Sequence, residues 1–178
     1  MRAPIFYTDF ILCIEPRPGH EIAIYKIKEF SIDLQRRGYP IAKVSADGYQ
    51  SANLRQDLLL AGINAEIISV DKTKDPYYNL RTAILESRYN GVSHEILDQE
   101  LRALIDAEKK IDHPVKGSKD LADSVCGSLW SAYSSQDEHF SITPDEYSAA
   151  FEKFLDEGED SHYERILSRA GAVYNVYR

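Results

Sequence analysis

Short apolar runs alternate with helically spaced apolar positions along the first part of the chain. The runs are rich in β-branched and aromatic residues, which favours strands. The stretches between them place apolar residues three and four apart, as one face of a helix requires. Gly38 and Gly62 directly follow these stretches, where glycine commonly ends a helix. The predicted strands are 5–14, 40–46 and 64–70, and the predicted helices are 21–37 and 51–61.

The order of these elements predicts the fold class. Strands that alternate with helices through short connections are typical of βαβ units, and they predict an α/β protein with an at least partly parallel sheet. After Pro76 the apolar positions keep helical spacing, which predicts three further helices, the last beginning at the N-cap residue Ser118. These helices are 77–89, 94–107 and 118–133, and the last buries Ala122, Val125, Cys126, Leu129 and Tyr133.

The composition changes at Ser134, where a polar, loop-like stretch begins. Residues 143–146 (TPDE) then have the proline and the first-turn acids of a helix start. The whole chain carries 21 basic and 29 acidic residues, a net charge of −8. Residues 1–130 contribute −2 of this charge and residues 131–178 contribute −6. We therefore predict a body at 1–133 and an acidic, helical extension at 134–178.

Composition and charge exclude several classes of protein. The apolar fraction of 43% and the charged fraction of 28% are typical of a folded soluble chain, not of a disordered one. No stretch approaches the roughly 18 apolar residues of a membrane span, and the first residues lack the basic-then-apolar pattern of a leader, so neither a span nor a leader is expected. Cys13 and Cys126 are too few for a disulfide framework, which predicts a cytoplasmic protein. Because the body is nearly neutral, the net charge does not exclude a nucleic-acid partner.

Asp47 stands where a predicted strand ends and Gly48 follows it. Ligands and metal ions gather at the carboxyl ends of strands in open α/β sheets, so Asp47 is a candidate metal-binding carboxylate. An Asp-Gly turn, or an N-cap for the next helix, explains the same residue without any ligand. Taken alone, the residue favours the turn.

Asp120 and Asp123 form the second candidate feature. They lie three residues apart at the start of a predicted helix and therefore share one face of it, opposite the apolar stripe. Compensation of the helix dipole explains one such acid. Two acids on one face also suit a hard cation bound by oxygen ligands, so both interpretations stay open. Together with Asp47, the pair suggests cleavage of phosphodiester bonds by two metal ions.

Other kinds of site are less well supported. The five histidines and two cysteines have no ligand-like spacing, which argues against a zinc site. The sequence contains no G-x-S-x-G nucleophile motif. Residues 117–119 (GSK) echo the end of a phosphate loop but lack its first glycine, so no ATP site is predicted.

Several segments in order resemble the C-terminal nuclease domain of the large terminase subunit of tailed phages. The resemblance covers about residues 5–133, and the Asp-His-Pro that precedes Gly-Ser-Lys-Asp is its most distinctive part. The matching segments are 44–51 (VSADGYQS), 69–72 (SVDK), 77–88 with its Asn-Leu-Arg core, 112–114 (DHP), 117–123 (GSKDLAD) and Gly127.

The resemblance implies a ribonuclease H-like mixed sheet flanked by helices. It also implies a metal-dependent endonuclease, a hydrolase that cuts concatemeric double-stranded DNA during genome packaging with two Mg²⁺ or Mn²⁺ ions. By position, Asp47 looks like the carboxylate of the central strand, and Asp120 and Asp123 look like the metal ligands of the last helix. Lys119 is expected to be solvated, or else to meet a phosphate. The implied partners are DNA and other terminase or portal components in the host-cell cytoplasm, with no membrane.

The sequence also departs from this family's pattern. The family has an earlier strand with a first catalytic aspartate, preceded by an ATPase motor, and neither is matched here. Asp9 corresponds to a later strand and not to the catalytic one. We therefore expect an N-terminally incomplete nuclease segment. The alternatives are a catalytically silent DNA- or protein-binding remnant of that fold, and a small enzyme of unrelated chemistry with its main pocket away from the three aspartates.

Overall fold

The computed structural model describes residues 3–48, 51–135 and 172–177, and these form a mixed α/β structure. Five helices provide most of the regular structure, and the strands are short. The helices are α1 (Ile24–Arg36), α2 (Ser51–Leu60), α3 (Asp75–Leu85), α4 (Glu95–Ala103) and α5 (Asp120–Ser134). The strands are β1 (Phe6–Tyr7), β2 (Ile11–Pro16), β3 (Val44–Ala46), β4 (Ala65–Ile67), β5 (Tyr89–Asn90), β6 (Ile105–Asp106), β7 (Ile111–Asp112) and β8 (Ala172–Tyr177).

The five predicted helices are confirmed, but two of them end earlier than predicted, because Tyr89 lies in β5 and Ile105–Asp106 forms β6. Gly38 and Gly62 have positive φ angles of 91° and 80° and end α1 and α2 as predicted. After α1, the N–H of Tyr39 donates to the carbonyl of Leu34 at 3.0 Å, and Ile63 closes α2 on Leu58 in the same way at 2.9 Å. Both helices therefore end in a Schellman motif, whose left-handed residue is glycine because a side chain would be strained there.

The strands pair in four separate two-stranded sheets within the described residues. β3 and β4 are parallel and joined by α2, which confirms a βαβ unit, and β1 pairs in parallel with β5. The other two pairs, β2–β8 and β6–β7, are antiparallel. The single mixed sheet that we predicted is therefore not continuous here. The predicted strand 5–14 is interrupted between β1 and β2, and strands of two or three residues support only short ladders of hydrogen bonds.

The predicted acidic extension at 134–178 falls largely outside the described residues, including the helix start at 143–146. Its last six described residues form β8, which pairs antiparallel with β2 so that Ile11 lies opposite Tyr177. The prediction of a helix is therefore wrong for these six residues. Their two valine and two tyrosine residues favour a strand.

Two groups of buried apolar residues hold the helices in place. The larger group joins α3, α4 and α5 to β1, and the smaller one joins α2 to β4 through residues such as Leu58 and Ile63. Helix α5 buries Ala122, Val125, Cys126 and Leu129 as predicted, whereas Tyr133 is 43% exposed. Because α5 also packs against β3, its first turns lie beside the carboxyl ends of β3 and β4.

Burial of Cys126 leads to a testable difference between the two cysteines. Cys126 is fully buried, and burial, reinforced by the nearby Asp123 charge, raises the pKa of its thiol to about 12. Since the thiolate is the reactive form, we expect Ellman's reagent to label the native protein at Cys13 well before Cys126. Labelling a Cys13→Ser variant with and without urea measures this protection. Equal labelling rates in both conditions would contradict the burial of Cys126.

Candidate functional site

Asp47, Asp120 and Asp123 line one cavity of about 220 Å³. The cavity lies between the carboxyl ends of the parallel strands β3 and β4 and the first turns of α5. Asp47 follows β3 directly, and the other two aspartates belong to the first turn of α5. The remaining lining residues are small or aliphatic: Ser45, Ala46, Ile68, Val70, Ser124, Gly127 and Ser128. The three aspartates named in the sequence analysis thus share one concave surface.

Asp47 forms the turn that the sequence offered as its alternative role. Its Oδ1 accepts the backbone N–H of Gly48 at 2.7 Å, and its carbonyl accepts a hydrogen bond from the hydroxyl of Ser51. The side chain remains exposed beside the cavity. The turn and a ligand role are therefore compatible, because the turn fixes the backbone from which the carboxylate projects.

The start of α5 is capped from two directions. The Ser118 hydroxyl accepts the N–H of Asp120 at 3.2 Å, although the residue at the N-cap position itself is Lys119. Oε2 of Glu100 on α4 accepts the N–H of Ala122 at 2.9 Å, and Glu100 is only 6% exposed. A buried carboxylate at a helix N-terminus satisfies an otherwise unpaired donor and complements the helix dipole. Asp120 is exposed and lines the cavity.

Asp123 is held by a buried lysine. Both of its carboxylate oxygens lie within 2.9 Å of Nζ of Lys119, and the Tyr77 hydroxyl donates to Oδ1 at 2.5 Å. The same Nζ lies 2.7 Å from Oδ1 of Asp71, in the connection between β4 and α3. Lys119 is 5% exposed, so the prediction that it is solvated is wrong. The local sequence does not show that Asp71 comes within reach of it.

This arrangement sets the protonation of its lysine and tyrosine. Burial alone lowers the pKa of Lys119, but its hydrogen bonds to Asp123 and Asp71 outweigh burial and raise that pKa above the ordinary value. Burial, the hydrogen bond to Asp123 and the charges nearby raise the pKa of Tyr77. At neutral pH, Lys119 is therefore charged and Tyr77 is a neutral hydrogen-bond donor. We call Asp71, Tyr77, Lys119 and Asp123 the Lys119 network.

Asp71 lies next to the candidate site but was not among the candidate residues named from the sequence. It follows the predicted strand 64–70 directly, so the strand-end signal used for Asp47 applies to it equally.

A second lysine, Lys110, lies 3.9 Å from Oδ2 of Asp71 and 3.1 Å from Oδ2 of Asp112. The backbone N–H of His113 and the Lys110 ammonium lower the pKa of Asp112. The Asp-His-Pro segment therefore lies close to the Lys119 network.

The oxygen donors around the cavity are of the chemical type that binds a hard divalent cation. They are not, however, gathered into a complete set of metal ligands. Carboxylate oxygens are the protein ligands that Mg²⁺ favours, and Mg²⁺ usually keeps several water ligands beside one or two carboxylates. Asp47 and Asp120 are carboxylates of this type, and both line the cavity. Throughout residues 3–48, 51–135 and 172–177, no three His, Cys, Asp or Glu side chains lie close enough together to hold one metal ion.

Asp9 lies between β1 and β2 and lines a different cavity of about 440 Å³. The two cavities share Ser124 and Ser128 on α5 as wall residues. Oδ2 of Asp9 accepts a hydrogen bond from the Tyr39 hydroxyl at 3.1 Å. Burial nevertheless raises the pKa of Asp9, with the Tyr39 hydrogen bond opposing it. Asp9 is thus separate from the cavity of Asp47, Asp120 and Asp123.

The raised pKa of Asp9 predicts a pH-dependent effect of substitution. The native fold favours the protonated carboxyl of Asp9. The stability that this carboxyl adds to the fold is therefore complete below its pKa in the unfolded chain, and it is lost as the pH rises through its pKa in the folded protein. Asparagine stays neutral at every pH. We therefore expect the free energy of unfolding of Asp9→Asn, relative to the unsubstituted protein, to increase between about pH 3 and about pH 7. Urea unfolding at both pH values measures it, and a constant difference would contradict it.

A larger cavity of about 870 Å³ lies away from the three aspartates. It runs along α3 and the end of α4, where Leu80, Leu101 and Leu104 provide apolar walls and Arg81 and Asp106 provide charge. This is the placement that the unrelated-enzyme alternative predicted. Among the described residues, the cavity lining contains neither histidine nor cysteine, and its Asp106 is already hydrogen-bonded to Lys74 and Tyr78. The lining residues that the structure describes therefore do not pair a nucleophile with a base.

None of the helices in the described part of the chain is both long and apolar enough to cross a membrane. Comparisons of the chain with protein-family models, with curated proteins and with solved structures found no match.

Proposed function

We propose that this chain is the nuclease segment of a terminase-type DNA-packaging enzyme and hydrolyses phosphodiester bonds of double-stranded DNA with Mg²⁺ or Mn²⁺. The observation that carries the proposal is the shared cavity. Asp47, Asp120 and Asp123 come from two distant parts of the sequence, and all three line the same space of about 220 Å³. The segments that resemble terminase nucleases contain the same three residues.

The position of the cavity supports this chemistry. It opens at the carboxyl ends of parallel strands, where α/β proteins place ligands, and its opposite wall is a helix N-terminus, which favours anions. Asp47 and Asp120, on the two sides of the cavity, would hold the divalent ions, and their negative charge would balance that of the ions. Such ions would supply activation of the attacking water and stabilisation of the leaving oxygen. A ribonuclease H-like sheet around the βαβ unit is part of the proposal.

A second candidate function is a silent module that binds DNA or a packaging partner such as a terminase or portal component. One observation favours it. Asp123 already has Lys119 and Tyr77 as partners, so one of the three carboxylates is neutralised without a metal ion. A module of this kind retains DNA in a salt-sensitive manner but does not turn it over.

Cleavage of supercoiled plasmid distinguishes the two functions. The nuclease proposal predicts nicked and linear products with Mn²⁺ or Mg²⁺ and none after chelation with EDTA. Circular dichroism recorded on the same samples controls for folding, and filter retention measures DNA binding. Retention without any nicking across a range of metal concentrations, by a folded protein, would reject the nuclease proposal and support the silent module.

A further inference from the structure

Lys119 joins two parts of the structure that are distant in sequence. It immediately precedes the first turn of α5, and its Nζ contacts Asp123 one turn along that helix. The same Nζ lies 2.7 Å from Asp71, which belongs to the connection between β4 and α3. The Tyr77 ring, on α3, has its centroid 5.7 Å from Nζ, and its hydroxyl bonds to Asp123. One ammonium group therefore links α5, α3 and the end of β4.

The burial of this ammonium group is costly unless its partners are well placed. Removing an ion from water carries a large free-energy cost, and only close, well-aligned partners offset that cost. Here the side chain is 6% exposed and meets three carboxylate oxygens at 2.7, 2.8 and 2.9 Å. A loosely held lysine would not stay buried in this way. The network therefore restrains the first turn of α5 relative to the strand ends.

The restraint acts on the candidate site. Asp120 is the residue next to Lys119, and it faces the cavity that Asp47 lines from the end of β3. β3 is hydrogen-bonded to β4, whose chain continues to Asp71. A shift of the α5 start relative to Asp71 would therefore change the separation of Asp120 and Asp47. Productive geometry at a reacting centre is sensitive to displacements of about 1 Å.

We propose that Lys119 is a positioning residue of the candidate site: its ammonium ties α5 to Asp71 and so sets the distance across the cavity between Asp120 and Asp47. This inference rests on the proposed function for its catalytic consequence, but the positioning itself is independent of turnover. Asp123 belongs to this restraint through its bonds to Lys119 and Tyr77. Asp71 is the second anchor, on the opposite side of the ammonium.

The test compares Lys119→Met, Lys119→Arg and Asp71→Asn with Lys28→Met, which removes the surface ion pair with Asp57. Backbone amide NMR spectra report on position without requiring cleavage. We expect Lys119→Met to shift the signals of Asp120 and, across the cavity, of Gly48, whose N–H donates to Asp47. Lys119→Arg should largely restore them, because it keeps the charge, and Lys28→Met should leave them in place.

Kinetics provide the second measurement. Lys119→Met should lower kcat for plasmid cleavage at least about 10-fold with little change in KM, since binding of DNA does not require the restraint. Asp71→Asn combined with Lys119→Met should be no slower than Lys119→Met alone, because both remove the same contact. If no protein cleaves DNA, the proposed function fails and the NMR result still decides the inference. Shifts in Lys119→Met that stay within 118–123 and leave Gly48 unchanged would overturn it.

Discussion

Asp47→Asn and Asp120→Asn are each expected to slow metal-dependent DNA cleavage by about 100-fold or more. Asparagine keeps the shape and one oxygen of the side chain but removes the negative charge that balances a divalent cation. Even groups that only orient metal ligands change affinity or activity by about 10- to 100-fold when replaced, so losing a ligand should cost at least as much. Because both residues line the same cavity, the two variants should fail in the same way.

Asp98→Asn is the matched control for these variants. Asp98 is an exposed aspartate on α4 and does not line the cavity, so its removal changes the net charge by the same amount. Cleavage is measured from nicking time courses at several Mn²⁺ concentrations. If the two cavity variants cleave DNA as fast as Asp98→Asn at every Mn²⁺ concentration, the assignment of the carboxylates is wrong.

Glu100→Ala is expected to have the largest effect on stability, a loss of about 3 kcal/mol. The substitution leaves the N–H of Ala122 without its acceptor in the first turn of α5. A buried donor without a partner costs about 1–3 kcal/mol, and deleting a buried side chain adds the cost of the cavity it leaves. Urea unfolding at neutral pH, monitored by circular dichroism, measures the difference in the free energy of unfolding.

Glu100→Gln separates the hydrogen bond from the rest of this effect. Glutamine retains an oxygen acceptor for the Ala122 N–H and fills nearly the same volume, but it lacks the charge that complements the helix dipole. It should therefore lose much less stability than the alanine variant. Equal losses for the two variants would show that the cap on α5 does not explain the burial of Glu100.

Much of the helical structure could be predicted from the sequence because helices repeat their apolar residues over many positions. Two glycines with positive φ, Gly38 and Gly62, marked helix ends that the structure confirms. The two-residue strands β5, β6 and β7 are too short to produce any periodic pattern. β5 forms beside β1, a distant part of the chain, and β6 pairs with β7 across the short turn between them, so neither pairing is visible in the residues of one strand alone.

The candidate site shows the same division between local and tertiary information. Asp47 could be found from its strand end, and Asp120 and Asp123 from their spacing on a helix. The burial of Lys119 could not be predicted from the sequence, since it depends on Asp71 reaching the start of α5. Glu100 did leave a signal, because it follows Leu97 by three residues and so falls on the buried face of α4. An acid on an apolar face indicates a buried partner, here the helix start of α5.

We propose above that the cavity between β3, β4 and α5 binds the metal ions of a nuclease. Anomalous X-ray diffraction from crystals of this protein grown with Mn²⁺ tests it most directly. We expect an anomalous peak inside the cavity, within a coordination distance of roughly 2 Å from carboxylate oxygens of both Asp47 and Asp120. A cavity without Mn²⁺ at millimolar metal concentrations, or Mn²⁺ bound only at other surface carboxylates, would contradict it.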